Sequence, residues 1–147
     1  KAKFFFQKSK ITTISDDSGL CVECLDNKPG IYTSRWATKY GGTKKAMLKI
    51  IKLVKDKNKS KKKQNTKAKF VCSLTIYFSS KKKINTTGEV YGNISDKMLG
   101  KNGFGYDPIF IPNGYNLTFG QMTKKKKMLM DHRYLAFKKL KKKISIL

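Results

Sequence analysis

Two carboxylates stand side by side in Ser15-Asp16-Asp17-Ser18-Gly19-Leu20, and they are the first residues in the chain whose types suggest chemistry. Paired acids can hold a divalent ion against phosphate oxygens and activate a water, the tasks needed to hydrolyse a nucleoside triphosphate between its α and β phosphates. A second run, Gly103-Phe104-Gly105-Tyr106-Asp107-Pro108, places two aromatics around a glycine. The rings offer a face to a purine, the glycines let the backbone approach closely, and Asp107 can accept hydrogen bonds from a base edge. The third, Asp131-His132-Arg133, sets the only histidine beside an arginine and offers several donors to one ligand edge. Such donors suit a 6-oxo purine, because adenine's 6-amino group would leave donors facing each other at a cost of about 1–3 kcal/mol each. Together the runs describe a site for a purine nucleotide and its metal. Each also has a plainer reading: an Asp-Asp turn with a solvent-facing Ser18, a buried Phe before a turn at Pro108, and Asp131 capping a helix.

In order and spacing these runs resemble the inosine/xanthosine triphosphate pyrophosphatases, a family acting on non-standard purine nucleoside triphosphates. Pro29-Gly30-Ile31-Tyr32-Thr33-Ser34-Arg35-Trp36-Ala37 and Thr118-Phe119 fit the same pattern, and the resemblance runs from Lys1 to about Leu140. It implies hydrolysis of ITP, dITP or XTP to the monophosphate and pyrophosphate with Mg²⁺, by a cytoplasmic homodimer. It also implies an α/β fold, a mixed β-sheet flanked by helices, with two lobes and a nucleotide cleft between them. The metal-binding, proton-accepting carboxylate maps onto Asp17, with Asp16 as a second metal carboxylate and Ser18 as a nucleotide contact. Phe104, Gly105, Tyr106 and Asp107 match the family's base-binding run, and Lys127, His132 and Arg133 are assigned to the same base pocket. Lys124 to Lys127 form a run, so a slip of register would substitute a neighbour, and a solvated lysine is the plain alternative. Family members open with a strand, a phosphate loop and a metal-binding Glu, all upstream of the helix in which Lys1 and Ala2 fall. The expectation is therefore a single domain over residues 1–147 that lacks its first strand and phosphate loop and turns over poorly. Gln121, Lys126 and Asp131 depart from the family's usual Glu, acidic residue and Ser.

The elements that must hold these residues are legible in part. Residues 1–10 read as the tail of a helix, 11–15 as a short strand delivering Asp16 and Asp17 to its end, and 20–25 as a further strand. Met47, Ile50, Ile51 and Val54 recur at helical spacing, predicting an amphipathic helix from Thr43, as its cap, to about Lys55. Residues 57–67 read as a charged loop. The alternation through Ala68, Phe70, Cys72, Leu74, Ile76 and Phe78 predicts a central strand, paired after a turn at 81–87 with residues 88–95. Met130, Tyr134, Phe137, Leu140 and Ile144 keep a helical spacing, predicting a last helix that covers the sheet.

Composition narrows the alternatives. The chain has 147 residues, 39% of them apolar, enough for one core, and no apolar run of membrane-spanning length, so no membrane partner is expected. Thirty-four basic residues against 9 acidic give a net charge of +25, a field that attracts polyanions. Arg35 and Arg133 are the only arginines. Sequence-reading proteins favour the planar arginine fork, so no specific nucleic-acid partner is expected. A basic nucleic-acid-binding module remains a rival, marked by steeply salt-dependent binding that survives loss of Asp17 and His132. A septum-inhibitor-type nucleotide pyrophosphatase is another, separable by a substrate panel. Cys21, Cys24 and Cys72 are an odd count and read as reduced thiols, and no second Cys/His pair exists to complete a zinc site with Cys21 and Cys24.

Overall fold

The computed structural model describes residues 1–79 and 81–145. In chain order it runs α1 (Ala2–Ser9), β1 (Thr13–Val22), a 3-10 turn (Glu23–Leu25), β2 (Lys28–Gly30), α2 (Thr33–Lys39) and α3 (Thr43–Asn58). There follow β3 (Lys67–Tyr77), β4 (Lys83–Ile94), a second 3-10 turn (Asp107–Ile109), β5 (Phe110–Pro112), α4 (Lys124–Met128) and α5 (His132–Ile144). Five strands form one sheet in the order β2-β1-β3-β4-β5. Helices flank it as expected, but every pairing among the described residues is antiparallel, where a mixed sheet is expected from the sequence. The excursion through α2 and α3 explains the difference. It leaves and re-enters at the same end of the sheet, where Val22 pairs with Ala68, so β3 must run back along β1.

β1 is one continuous strand, where a strand at 11–15 and another at 20–25 are expected. Residues Ser15 to Gly19 stay extended because each is matched along β3, from Ser15 opposite Thr75 to Gly19 opposite Val71. The strand stops at Val22 because Asp26 and Asn27 take left-handed backbone angles, with φ of 56° and 59°. Cys24 thus lies in the 3-10 turn, not on a strand, and Cys21, Cys24 and Cys72 are all free thiols. β4 begins five residues earlier than the expected Gly88, because the chain has already turned back by Lys82, whose carbonyl accepts from the Phe78 N–H at 2.9 Å. α3 extends past Lys55 to Asn58, whose side chain donates to the Val54 carbonyl at 2.8 Å and closes the helix. Its cap position is Gly42 rather than Thr43, and Gly42 has φ 120°.

Alternation puts Leu20, Val22, Ala68, Phe70, Cys72 and Leu74 on one face of the sheet. α3 packs Ala46, Met47, Ile50, Ile51 and Val54 against one end of that face, together with Phe110, Phe119 and Met122. α5 packs Ala136 and Leu140 against Cys72 and Leu74 at the other end. The opposite face is polar, with Asn85 donating to Ser73 and Thr75 and Lys69 paired with Glu89 at 3.0 Å. α1 lies at its end, where Phe6 stacks on Tyr77.

The last helix covers the sheet, but of its side chains expected to do so Leu140 alone is buried. Its buried stripe is His132, Ala136 and Leu140, while Tyr134, Phe137 and Ile144 point outward. Gly88 is the reason: a Cβ there would strike the His132 carbonyl and the Ala136 amide. The helix backbone lies so close to β4 that only the small Ala136 fits between them, and bulkier residues are turned to the flanks.

Gly88→Ala should therefore push α5 off the sheet and cost about 1–3 kcal/mol of stability, read as a lowered urea midpoint at an unchanged slope.

Candidate functional site

β2 pairs with β1 only at Leu20, Cys21 and Val22, so the earlier part of β1 is a free sheet edge among the described residues. A cleft of about 360 Å³ straddles that edge, inside the ~300–1,000 Å³ range of small-ligand sites. It is bounded by Asp16, Asp17 and Ser18 on β1, by Thr33 and Ser34 at the start of α2, by the 104–107 loop, and by His132 and Arg133 opening α5. The proposed site residues are thus neighbours, with one difference of placement: Lys127 stands behind the loop and does not line the cleft.

Because the two aspartates lie within a strand, they point to opposite sides of it. Asp16 turns toward α5: its Oδ1 accepts from the Ser18 hydroxyl at 2.7 Å and its Oδ2 from Arg133 Nε at 2.7 Å. Burial works to raise the Asp16 pKa, but the Ser18 and Arg133 hydrogen bonds and the Arg133 charge outweigh it and hold the carboxyl below its ordinary value. Asp17 turns the other way and is exposed, its ion-pair partner among the described residues being Lys1 at 3.3 Å. The close approach of β2 and α2 to β1 requires Gly19, since a Cβ there would strike the Gly30 carbonyl.

The 103–108 run folds around the Asp107 carboxylate. Its Oδ2 accepts from the Phe104 amide at 2.7 Å and from Lys127 Nζ at 2.8 Å, and Gly103, at φ 77°, passes so close that a side chain would collide with it. Burial pushes the Asp107 pKa up against the opposing pull of Lys127. The turn leaves Phe104 59% exposed, with Arg133 Cζ 4.6 Å and Lys127 Nζ 4.9 Å from its ring centroid. Tyr106 does the reverse. Its ring belongs to the core, its hydroxyl donates to the Thr33 carbonyl at 2.9 Å, and burial pushes its pKa up to about 12. The aromatic face expected from both rings is supplied by Phe104 alone, because a single glycine between them sends the two side chains to opposite sides.

Asp131 caps α5 by accepting from the Tyr134 amide at 2.8 Å. Immediately after it the His132 ring is buried and stacks on Phe70, centroids 4.9 Å apart and planes 13° off parallel. Its Nδ1 has no hydrogen-bond partner among the described residues. Burial, then the neighbouring Arg133 charge, lower its pKa from 6.5 to about 4. At neutral pH the ring is therefore uncharged, with one donor and one acceptor in place of the two donors of a charged imidazole. Of the lysine run, Lys127 is buried against Asp107 and Lys124, Lys125 and Lys126 are exposed. Gln121 accepts from the Thr118 amide at 3.1 Å through its side-chain carbonyl oxygen.

In the sequence Phe70 is legible only as a strand residue. Its ring contacts Phe110, Phe119 and His132 and forms part of the cleft wall, a role that its shared parity with Leu20 hints at and only packing reveals. Thr33 stands in the sequence only within the Pro29 to Ala37 run. Its hydroxyl donates to Gly30 O at 2.6 Å and accepts from Leu20 N at 2.9 Å, tying α2 to β1 beneath the cleft.

Lys127 and Asp107 form a buried pair, 9% and 2% exposed at their side chains, so Lys127→Ala should destabilise by about 3 kcal/mol by stranding the carboxylate. Lys126→Ala, at an exposed neighbour, should change the denaturation midpoint little. His132 sets a second expectation. The unfolded chain takes up a proton near pH 6.5 and the folded one only near 4, so stability falls as pH drops through that window, by roughly 3 kcal/mol, and is level above it. Urea titrations from pH 8 to 4 should show the fall in the wild type, and a smaller one in His132→Gln.

Comparison with known proteins sets these observations in a family. The Ham1 family model matches residues 1–143. The chain is 39% identical over 140 residues to a protein of Zymomonas mobilis named dITP/XTP pyrophosphatase, covering 95% of this chain and 66% of that protein. It is 41% identical over 128 residues to a protein of the same name from Methylacidiphilum infernorum, covering 87% of this chain and 61% of that one. The chain thus spans somewhat under two thirds of the length of these relatives. Among solved structures, the Staphylococcus aureus Ham1 protein superposes with a TM-score of 0.85 at 31% identity, over 98% of this chain and 72% of that one. With its sheet, its helices and nearly its whole length matched, the chain belongs to the Ham1 family.

Proposed function

We propose that the protein hydrolyses purine nucleoside triphosphates with deaminated bases, ITP, dITP or XTP, to the monophosphate and pyrophosphate. The observation that carries this is one cleft with an exposed acid, Asp17, at one side and an exposed aromatic flanked by two cations at the other. Relatives of the same family bear the name dITP/XTP pyrophosphatase.

In this reading the purine lies against Phe104. Arg133 donates to the 6-oxo group, and His132, neutral and otherwise unpartnered at Nδ1, meets the same base edge. An amino group at that position would face the arginine donors unpaired, which disfavours adenine by about 1–3 kcal/mol per mismatch. The surrounding lysine excess draws the polyphosphate toward the cleft. Asp17, exposed at the rim, takes the proton from a water whose oxygen attacks the α-phosphorus. Pyrophosphate leaves with the electrons of the broken P–O bond.

A divalent ion fits this donor set in a limited way. Among the described residues no three His, Cys, Asp or Glu side chains cluster to hold a metal. Mg²⁺ is commonly bound through one or two carboxylates together with substrate phosphates and water, and Asp17 is placed to be such a carboxylate. When bound, the ion supplies neutralisation of the phosphate charge. Ser18 in this reading contacts the nucleotide through the same β1 edge. With the activity go the cytoplasmic location and the homodimer that the family resemblance implies.

The test is pyrophosphate release from ITP against ATP and GTP, with and without Mg²⁺. Asp17→Asn should lower kcat for ITP by at least about 10²-fold with a near-unchanged KM. Equal turnover of ATP and ITP, or full activity in that variant, would overturn the proposal.

A further inference from the structure

We propose that Asp16 is a positioning residue: its carboxylate holds the Arg133 side chain in place beside Phe104, and it serves recognition of the base rather than metal binding. The inference rests on the functional reading above and deepens it. Asp16 and Asp17 are adjacent in sequence and look interchangeable, yet the strand sends them to different surroundings. Both oxygens of Asp16 are engaged, Oδ1 by the Ser18 hydroxyl and Oδ2 by Arg133 Nε, each at 2.7 Å. A hard dication could reach this carboxylate only by displacing one of them, and it would meet the guanidinium charge in doing so.

The way Arg133 is held matters. The bond is made by Nε, which leaves the terminal guanidinium nitrogens free of protein partners among the described residues while the group lies 4.6 Å from the Phe104 centroid. Phe104 has a second cation near it, Lys127, held in turn by Asp107. Two acid–base pairs thus flank one exposed ring. The inner pair is buried; in the outer one Arg133 and Asp16 are 36% and 34% exposed at their side chains, so this is the pair a ligand can touch. Arginine loses much rotamer freedom when it is ordered, and an arginine already fixed by Asp16 does not pay that cost on binding. Ser18 completes the device by occupying the second oxygen, which keeps the carboxylate from rotating to another partner.

Two measurements test this. In steady-state assays Asp16→Ala should raise KM for ITP about tenfold, with kcat falling less than threefold and the half-saturating Mg²⁺ concentration unchanged. Asp16→Asn, which keeps an acceptor for Nε–H, should recover part of the loss. In an Arg133→Ala background, Asp16→Asn should have no further effect on KM. A tenfold shift in Mg²⁺ dependence, a kcat loss like that of Asp17→Asn, or additive effects in the double variant would each overturn the proposal. The second readout needs no substrate. With only Arg35 and Arg133 in the chain, the Arg133 Nε–H resonance can be assigned by Arg35→Lys, and it should be exchange-protected in the wild type and averaged in Asp16→Ala. An averaged wild-type signal overturns the positioning role. A protected signal in a protein that does not hydrolyse ITP supports the ion pair and places the failure in the functional reading.

Discussion

The site depends on how closely the last helix can lie on the sheet. At Gly88 a strand backbone meets the backbone of α5 without a side chain between them, and the contact falls at the helix's first turns, where His132 and Ala136 sit. From that contact follow the burial of His132 against Phe70 and the reach of Arg133 to Asp16 across the cleft. A helix even slightly farther out would separate these partners, because ring stacking and a 2.7 Å hydrogen bond both decay over less than an ångström or two. The exposed Tyr134, Phe137 and Ile144 are the other side of the same constraint.

Charge is arranged around the cleft with similar economy. The chain has only 9 acidic residues, and three of them, Asp16, Asp17 and Asp107, bound the cleft. Each faces a cation: Arg133, Lys1 and Lys127 respectively. Their exposures differ, and so do their consequences. The Lys127–Asp107 pair is dry, and its worth lies in the penalty for breaking it. The Asp16–Arg133 pair is half in water and contributes geometry more than stability, while the Asp17–Lys1 contact, fully at the surface, is worth little. In a protein of net charge +25 carboxylate near the cleft is scarce, and Asp17 is the most exposed of the three.

Phe70 links these parts to the core. Its ring touches Phe110 and Phe119 on one side and His132 on the other, so the apolar cluster under α3 continues into the wall of the cleft. The neutral imidazole is a product of that continuity. Stacked on phenylalanine and screened from water, it cannot readily carry a proton. This end of the cleft is therefore apolar at its floor, with charge confined to its rim.

Read alone, the amino-acid sequence determined the amphipathic α3, the long central β3, the capped start of α5 at Asp131, and the three runs whose residues meet at the cleft. These are local signals: periodicity, turn chemistry and motif spacing act within a few residues of one another. Tertiary structure alone decided the rest. It joined the two short strands expected around Asp16 and Asp17 into one, because extension there is imposed by pairing with β3, a segment more than fifty residues away. It turned Tyr106 inward and Phe104 outward, chose Lys127 from four consecutive lysines, and gave the two aspartates different partners. Those outcomes are set by which surface each side chain meets after the chain has folded back on itself, and no pattern of neighbours along the sequence carries that information.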